Sequence, residues 1–137
     1  MAATKRKART LALQALYEAD AAGHPAEETL MRLVAAEGVA GATAEFAEQL
    51  VRGVAGHRVE IDRIIARTAP LRPLDEIAPI DRNVLRVAIY ELLFDNRAPV
   101  AAIINEAVEL AKRFGSEGSA RFINGVLGSV SAAAAGR

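Results

Sequence analysis

The stretch PIDRNVLRVAIYELL, residues 79–93, decides the fold. Apolar side chains recur in it every three or four positions, which is the spacing of one buried face of an α-helix. That face consists of Val84, Leu85, Ala88, Ile89 and Leu92. Because proline interrupts a preceding helix and aspartate caps a new one well, we predict a helix that begins at Asp81, after Pro79, and runs to about Asn96.

The same spacing continues towards the N-terminus. It predicts one helix over residues 4–22 and another over residues 26–37, separated by a glycine and a proline. A long apolar stripe then follows Thr43, which is a suitable cap. This stripe is one helix or two, with the break at Gly53 and Gly56.

Towards the C-terminus two more helices are predicted. One covers residues 99–114, with a proline at its start and Gly115 as its C-terminal cap. The last begins at about Glu117 and leads into an alanine-rich tail, residues 131–137, which is expected to fray. The chain contains 30 alanines, the residue that loses least on entering a helix. We therefore expect an all-α fold, a compact bundle of six to seven helices.

Composition excludes several classes of protein. There are 17 basic and 17 acidic side chains, so the net charge does not point to a polyanionic partner. The absence of cysteine excludes disulfides, thiolate nucleophiles and cysteine-based metal sites, and it suits a reducing cytoplasm. The longest uncharged run, residues 122–136, is shorter than a membrane-spanning helix requires. A cytoplasmic protein outside the membrane is the expectation.

Catalytic chemistry finds little support in the sequence. The chain has two histidines, His24 in a turn and His57 on an apolar stripe, and neither has a nucleophile at a telling spacing. The serines are explained as caps or packing residues. Acidic pairs such as Glu106 and Glu109 lie three positions apart, as on a solvated helix face. We therefore predict a protein that is not an enzyme and has no metal or cofactor.

The placement of charge is more informative than its sum. Residues 1–17 contain Lys5, Arg6, Lys7 and Arg9 and no acid. Positive side chains at a helix N-terminus oppose the helix dipole, so residues 1–9 are predicted to form a basic arm that is disordered until a nucleic acid neutralises it. An arginine-rich, acid-poor transit peptide is the alternative.

The outward face of the first helix contains further candidate RNA contacts beyond the arm. Arg6, Thr10, Gln14 and Tyr17 follow one another at helical spacing. An exposed aromatic ring can stack on an unpaired base, which charge alone cannot do. This pattern predicts binding of single-stranded RNA, and a tyrosine packed on a neighbouring helix is the alternative.

A second set of cations lies further along the chain. Arg82 and Arg86 follow Pro79, and Lys112, Arg113 and Arg121 surround Gly115. They could extend the RNA surface. Equally, Arg86 could contact Tyr90 one turn away, and Glu109 could neutralise Arg113.

Four blocks of the sequence resemble the transcription antitermination factor NusB family. They are residues 79–92 (PIDRNVLRVAIYEL), 102–115 (AIINEAVELAKRFG) and 121–127 (RFINGVL), together with KRKAR at 5–9 followed by LQALY at 13–17. The blocks span nearly the whole chain in the family's order and at its separations. The N-terminal block, residues 5–9 and 13–17, is similar to the family's arginine-rich arm and first helix.

The resemblance implies two small helical sub-bundles in one domain over residues 1–137. It also implies a non-enzymatic role, in which the protein binds the single-stranded boxA element of ribosomal RNA leader transcripts with ribosomal protein NusE and joins the RNA polymerase antitermination complex. Taken with the residue pattern, it gives these candidate RNA contacts: Lys5, Arg6, Lys7, Arg9, Thr10, Gln14, Tyr17, Arg86, Phe114, Ser116, Arg121 and Phe122. The candidate contacts to the protein partner are Asp81, Arg82 and Glu117.

Two departures from the family pattern accompany this resemblance. Gly118 stands where the family commonly has aspartate, which removes a negative charge beside the predicted RNA path. Gly128 and Ser129 replace an aspartate and a basic residue. Two alternative functions remain open at this point: a homodimeric interaction protein that buries its arm, and a NusB-like module that acts with a ribosomal RNA methyltransferase.

Overall fold

The computed structural model describes residues 2–95 and 97–136, and within them it contains helices and turns but no strand. The helices, in chain order, are α1 (Ala2–Ala22), α2 (Ala26–Ala36), α3 (Gly41–Gly56), α4 (Arg58–Thr68), α5 (Pro79–Tyr90), α6 (Val100–Phe114) and α7 (Ser119–Ala135). A 3-10 turn, Leu74–Glu76, precedes α5, and a π-helical turn, Glu91–Asp95, extends it. The prediction of an all-α fold of six to seven helices is confirmed.

The helices form two groups that share one core. Helices α1, α2 and α3 pack against one another, and α5, α6 and α7 pack against one another with α4 on α5 and α7. Helices α1 and α3 also contact α5, so the apolar core runs without interruption from Ala8 in α1 to Val130 in α7. This arrangement agrees with the two sub-bundles that the resemblance implies.

Helix α1 lies deeper than its sequence suggests. The apolar face is buried as predicted, and Arg9, Thr10 and Leu13 are buried as well. Three neighbouring helices surround α1, which leaves a narrower exposed face than a two-sided amphipathic helix would have.

Both predicted flexible ends are helical in the described residues. Residues 2–9 are the first turns of α1, so the arm is not disordered there, and Met1 lies outside the described residues. Glu106, Glu37 and Glu91 form ion pairs with Arg6, Lys7 and Arg9, and these pairs offset the repulsion that the sequence implied. Helix α7 continues through the alanine-rich tail to Ala135, as the helix propensity of alanine favours, and Arg137 lies outside the described residues.

Two predicted caps lie inside their helices. Helix α5 begins at Pro79, and Asp81 is in its first turn, because proline suits the first helical position, where no N–H is needed. Helix α3 begins at Gly41, two residues before Thr43. The predicted end at Asn96 lies outside the described residues.

Gly53 serves close packing instead of a helix break. Helix α3 runs through it to Gly56, and the ring of Tyr90 in α5 lies directly against its backbone. A Cβ atom built on Gly53 would lie 2.1 Å from Cζ of Tyr90, far inside van der Waals contact. Tyr90 is buried, and its ring lies 6.0 Å from the tilted ring of His57 and 6.5 Å from the stacked ring of Phe94, so a shift of the ring away from Gly53 would disturb these contacts.

Replacing Gly53 with alanine should therefore destabilise the fold. We expect a loss of about 1–3 kcal/mol in the free energy of unfolding, the usual cost of overpacking a core. Urea denaturation followed by circular dichroism would measure it. Gly56→Ala is the matched control, since a Cβ there meets no atom within 4 Å. Equal denaturation midpoints for the two variants would contradict this account.

Candidate nucleic-acid interface

Three cations of the first helix are exposed, and at least two of them have carboxylate partners. The guanidinium of Arg6 donates from Nε and Nη2 to the two oxygens of Glu106 in α6, at 3.2 and 2.9 Å. These hydrogen bonds raise the pKa of Arg6 and lower the pKa of Glu106. Lys7 forms an ion pair with Glu37, and Lys5 lines a cleft together with Glu45 and Asp95.

Arg9 and Thr10 are not on the surface. Arg9 is 6% exposed and donates from Nε and Nη2 to the carboxylate of Glu91, at 2.7 and 2.8 Å. Its guanidinium also lies 5.6 Å from the ring centroid of Phe46. Burial opposes the charge of Arg9, but the hydrogen bonds to Glu91 and the negative charges of Glu91 and Glu106 together outweigh it and raise the pKa. Thr10 is buried and donates to the carbonyl of Arg6. The structure thus buries two residues that the sequence placed on the exposed, RNA-facing side of the helix.

Gln14 and Tyr17 open onto a concave surface that we call the tyrosine slot. Its lining combines α1 with apolar residues of other elements: Leu13, Gln14, Tyr17, Glu18, Leu33, Ile80 and Phe114. Tyr17 is 39% exposed, an unusual degree for a large aromatic side chain in this protein. The Oε1 atom of Gln14 is buried, and the structure gives it no hydrogen-bond partner.

A second hollow also lies between α1 and α6, and we call it the arginine hollow. It is lined by Arg6, Glu106, Glu109, Leu110, Lys112 and Arg113. Arg113 and Phe114 are consecutive at the end of α6, and Arg6 and Gln14 are two turns apart on α1. Each concavity is lined by residues of both α1 and α6, and we call the two together the α1–α6 strip, which has cations in the hollow and an exposed aromatic ring in the slot. Within it Glu109 pairs with Lys112 at 3.4 Å.

The remaining C-terminal candidates lie elsewhere. Arg121 and Phe122 line a groove between α7 and residues 68–72, where the guanidinium of Arg72 lies 4.3 Å from the Phe122 ring centroid. Ser116 and Glu117 are exposed in the turn between α6 and α7, and the Ser116 N–H donates to Oγ of Ser119 at 2.9 Å. The tyrosine slot and this groove have no lining residue in common.

Gly118 closes the same turn immediately before α7. Its φ of +90° lies in the left-handed region, which glycine adopts without the strain that an aspartate would carry. A Cβ there would meet no atom within 4 Å, so backbone conformation, not space, favours glycine at this position.

Arg82 and Arg86 of α5 form hydrogen bonds to other helices and are largely covered from solvent. Arg86 is 2% exposed and donates to Asp62 at 2.9 and 3.2 Å and to Asp20 at 3.1 Å. Arg82 donates twice to Asp20, at 2.7 and 3.0 Å. Burial alone would raise the pKa of Asp20, but hydrogen bonds from Arg82 and Asn83 and the charge of Arg86 lower it to about 2. This cluster ties α1 and α4 to α5.

Three residues of α5 that the sequence indicated as candidate contacts are largely buried in the structure. Arg86 was a candidate RNA contact or a partner for Tyr90, yet it is paired with two half-buried carboxylates, those of Asp20 and Asp62. Arg82 and Asp81 were candidate partner contacts, but Arg82 is paired with Asp20, and Asp81 is 4% exposed. The acids that hold these arginines were missed, because each lies far away in the sequence and no local pattern marks it.

The other kinds of site to consider in residues 2–95 and 97–136 are a histidine-based site and a metal site. His57 stacks on Phe94 at 4.1 Å between ring centroids, and its Nδ1 lies 3.4 Å from Glu60. Among these residues no group of three or more His, Asp or Glu side chains is placed to hold a metal ion. No helix in this part of the chain is long and apolar enough to cross a membrane.

Fold and surface together define the class, a helical binding protein with a mixed cationic and aromatic face. Comparison with known proteins then identifies the family. The model of the NusB family matches residues 6–132, and the chain belongs to that family.

Relatives of similar length support the assignment. The transcription antitermination protein NusB of Dehalococcoides mccartyi is 49% identical over 135 residues, which are 98% of this chain and 94% of that protein. NusB of Chloroflexus aggregans is 45% identical over 95% of this chain and 88% of its own length. The predicted family and the predicted non-enzymatic role are confirmed.

Solved structures agree with the fold. NusB of T. maritima superposes with a TM-score of 0.87 at 34% identity, covering 93% of this chain and 89% of that one. A chain from a crystal structure of antitermination factors NusB and NusE in complex with dsRNA superposes with a TM-score of 0.89 at 28% identity, covering 97% of this chain and 99% of that one.

Proposed function

We propose that this chain acts in transcription antitermination by binding single-stranded, boxA-like RNA of ribosomal RNA leaders together with ribosomal protein NusE, in the cytoplasm and on RNA polymerase. The observation that carries the proposal is the α1–α6 strip, in which the exposed Arg6 and the exposed Tyr17 line two concavities along the same pair of helices. The similarity of the whole chain to a chain solved in a complex of NusB and NusE with dsRNA supports a polyanionic partner.

The strip offers RNA two different kinds of contact. Arg6 of the strip and its neighbours Lys5 and Lys7 in the first turns of α1 reach solvent, where phosphates can pair with them and release counterions. The exposed ring of Tyr17 and the half-buried ring of Phe114 share the tyrosine slot, which can receive a base. An unpaired strand presents phosphates and base faces together, whereas a duplex hides its base faces.

Contacts outside the strip are proposed separately. Arg121, Phe122 and Ser116 lie on or beside the α7 groove, and they serve as a second RNA contact if the strand continues beyond α6. Among the candidate contacts to NusE, Glu117 is the exposed one, and we assign it to the protein partner.

The central experiment is a titration of boxA-like RNA, with a scrambled strand and a duplex of the same length as controls, in the presence and absence of NusE. Tighter binding of the boxA-like single strand, strengthened by NusE, is the expected result. Equal affinity for all three RNAs would reject sequence-specific single-strand binding. Light scattering on the free and bound protein would test the homodimer alternative.

The salt dependence of binding should reveal how many cations touch phosphate. Changing Lys5, Arg6 and Lys7 together to alanine should weaken RNA binding and flatten the slope of log K against log salt by up to about two units, at about 0.7 per contact. Fluorescence anisotropy at several salt concentrations would measure it. Arg58→Ala, which removes an exposed cation of α4, is the control and should leave the slope in place. An unchanged slope in the triple variant would exclude these cations from the RNA contact.

Tyr17 should contribute through its ring and not through charge. Tyr17→Ala should cost about 1–3 kcal/mol of RNA binding while the salt slope is retained. Tyr17→Phe keeps the ring and should bind nearly as well as the original chain. The same titrations measure both variants. A loss in the phenylalanine variant as large as that in the alanine variant would assign the effect to the hydroxyl, and a loss of slope would mean that the ring only positions the cations.

A further inference from the structure

We propose that Glu106 competes with RNA phosphate for the guanidinium of Arg6 and thereby limits how tightly the α1–α6 strip holds any RNA strand. This inference rests on the proposed function and adds a regulatory residue to the same surface. Glu106 does not touch RNA in this account. It acts by occupying the cation that RNA needs.

The geometry of the Arg6 and Glu106 pair is that of a phosphate contact. Nε and Nη2 of Arg6 donate side by side to the two carboxylate oxygens, at 3.2 and 2.9 Å. Arginine uses the same paired donors for phosphate, with two parallel N–H groups on two oxygens. An RNA phosphate that takes this position must therefore replace the carboxylate.

Exposure makes such an exchange possible at Arg6. Its side chain is 59% exposed, whereas the side chain of Arg9, in an equivalent pair with Glu91, is 7% exposed. Exposed ion pairs contribute little to stability because water and salt screen them. A buried ion pair is costly to separate, since separation leaves a buried charge uncompensated. Of the two arginines of the first turns, Arg6 is the one free to change partner.

Displacement of Glu106 from Arg6 also leaves an unpaired negative charge beside the bound RNA. Glu106 sits in the arginine hollow with Glu109, and it is itself largely covered, with 18% of its side chain exposed. Once phosphate has taken Arg6, the unpaired carboxylate of Glu106 remains beside the bound strand and repels it. Both effects weaken RNA binding, whatever the base sequence.

The test compares four variants by titration with a boxA-like single strand at low salt. Glu106→Gln should tighten binding by about three- to tenfold, since it keeps the side-chain shape and removes the competing charge. Glu109→Gln is the matched control, because it removes the same charge from the same hollow, and Glu109 is not hydrogen-bonded to Arg6. It should change the affinity by less than about twofold.

A double substitution separates competition from simple repulsion. In the Arg6→Ala background, Glu106→Gln should have little effect, because no guanidinium is left to release. If the gain persists without Arg6, general charge repulsion explains it and the proposed competition is wrong. If Glu106→Gln weakens binding, Glu106 orients Arg6 for RNA instead, which also overturns the proposal.

The same titrations keep this inference distinct from the proposed function. Failure of the original chain to bind any single-stranded RNA would reject the proposed function, and the inference would fall with it. Binding by the original chain with no gain from Glu106→Gln would reject the inference alone. Circular dichroism melts of each variant would show whether the fold is retained.

Discussion

Replacing Glu91 with alanine should lower the free energy of unfolding by about 3–5 kcal/mol, the cost of leaving a buried charge without its partner. Glu91 is 2% exposed and accepts both hydrogen bonds from Arg9, a residue that is itself 6% exposed. Without Glu91 the Arg9 guanidinium would stay in the core with no carboxylate bonded to it. This loss is a large fraction of the stability of a typical domain.

The chain contains a control of the same chemistry at the surface. Glu106→Ala also removes the carboxylate from a two-hydrogen-bond pair with an arginine of α1, but that arginine is exposed. Its denaturation midpoint should change little. Chemical denaturation of both variants measures the difference, and equal midpoints would contradict the assignment. The double variant Arg9→Met with Glu91→Leu should recover much of the loss, because no unpaired charge remains.

Replacing Asp20 with alanine should cost about 3 kcal/mol, by the same argument applied to a cluster. Asp20 accepts hydrogen bonds from Arg82, Asn83 and Arg86, and so connects the end of α1 to α5. Its loss leaves Arg82 with backbone carbonyls and Arg86 with Asp62 and Asn83. Denaturation at neutral pH would measure the effect, and a change below about 1 kcal/mol would show that the cluster tolerates one missing carboxylate.

The lowered pKa of Asp20 also predicts how the free energy of unfolding depends on pH. Its pKa in the folded protein is lowered from 3.8 to about 2, so the folded state holds the proton less tightly than the unfolded chain. Its contribution is therefore complete above pH 4 and is lost as the pH falls through the folded pKa, near 2. The difference corresponds to about 2 kcal/mol. Unfolding free energies measured at several pH values should converge for the original chain and Asp20→Ala in this window, and parallel curves would contradict the prediction.

Burial divides the predicted RNA residues into two groups with different roles. Lys5, Arg6 and Lys7 face solvent and can exchange their partners for phosphate. Arg9 and Arg86 are buried, so their variants should change stability before they change RNA contacts. A charge count over the arm overstates the number of phosphate contacts for this reason.

The helices were predictable from the sequence because their cause is local. Apolar spacing along residues 79–93 and 99–114 places a buried face on α5 and α6, a proline marks the start of each helix, and Gly115 marks the end of α6. The four family blocks likewise lie within short segments, so the order of the amino acids is enough to indicate the family and its role. Tyr17 was correctly placed on the exposed face for the same reason.

What the tertiary structure alone decided is which charges are free. Arg9 and its partner Glu91 are 82 positions apart, Arg86 and Asp20 are 66 apart, and Arg6 and Glu106 are 100 apart. Helical periodicity states which side chains share a face of one helix, but not which carboxylate another helix brings to them. Pairing across such separations depends on how the helices pack. Helix packing therefore also determines which arginine is buried in an ion pair that stabilises the core and which is exposed and can bind RNA.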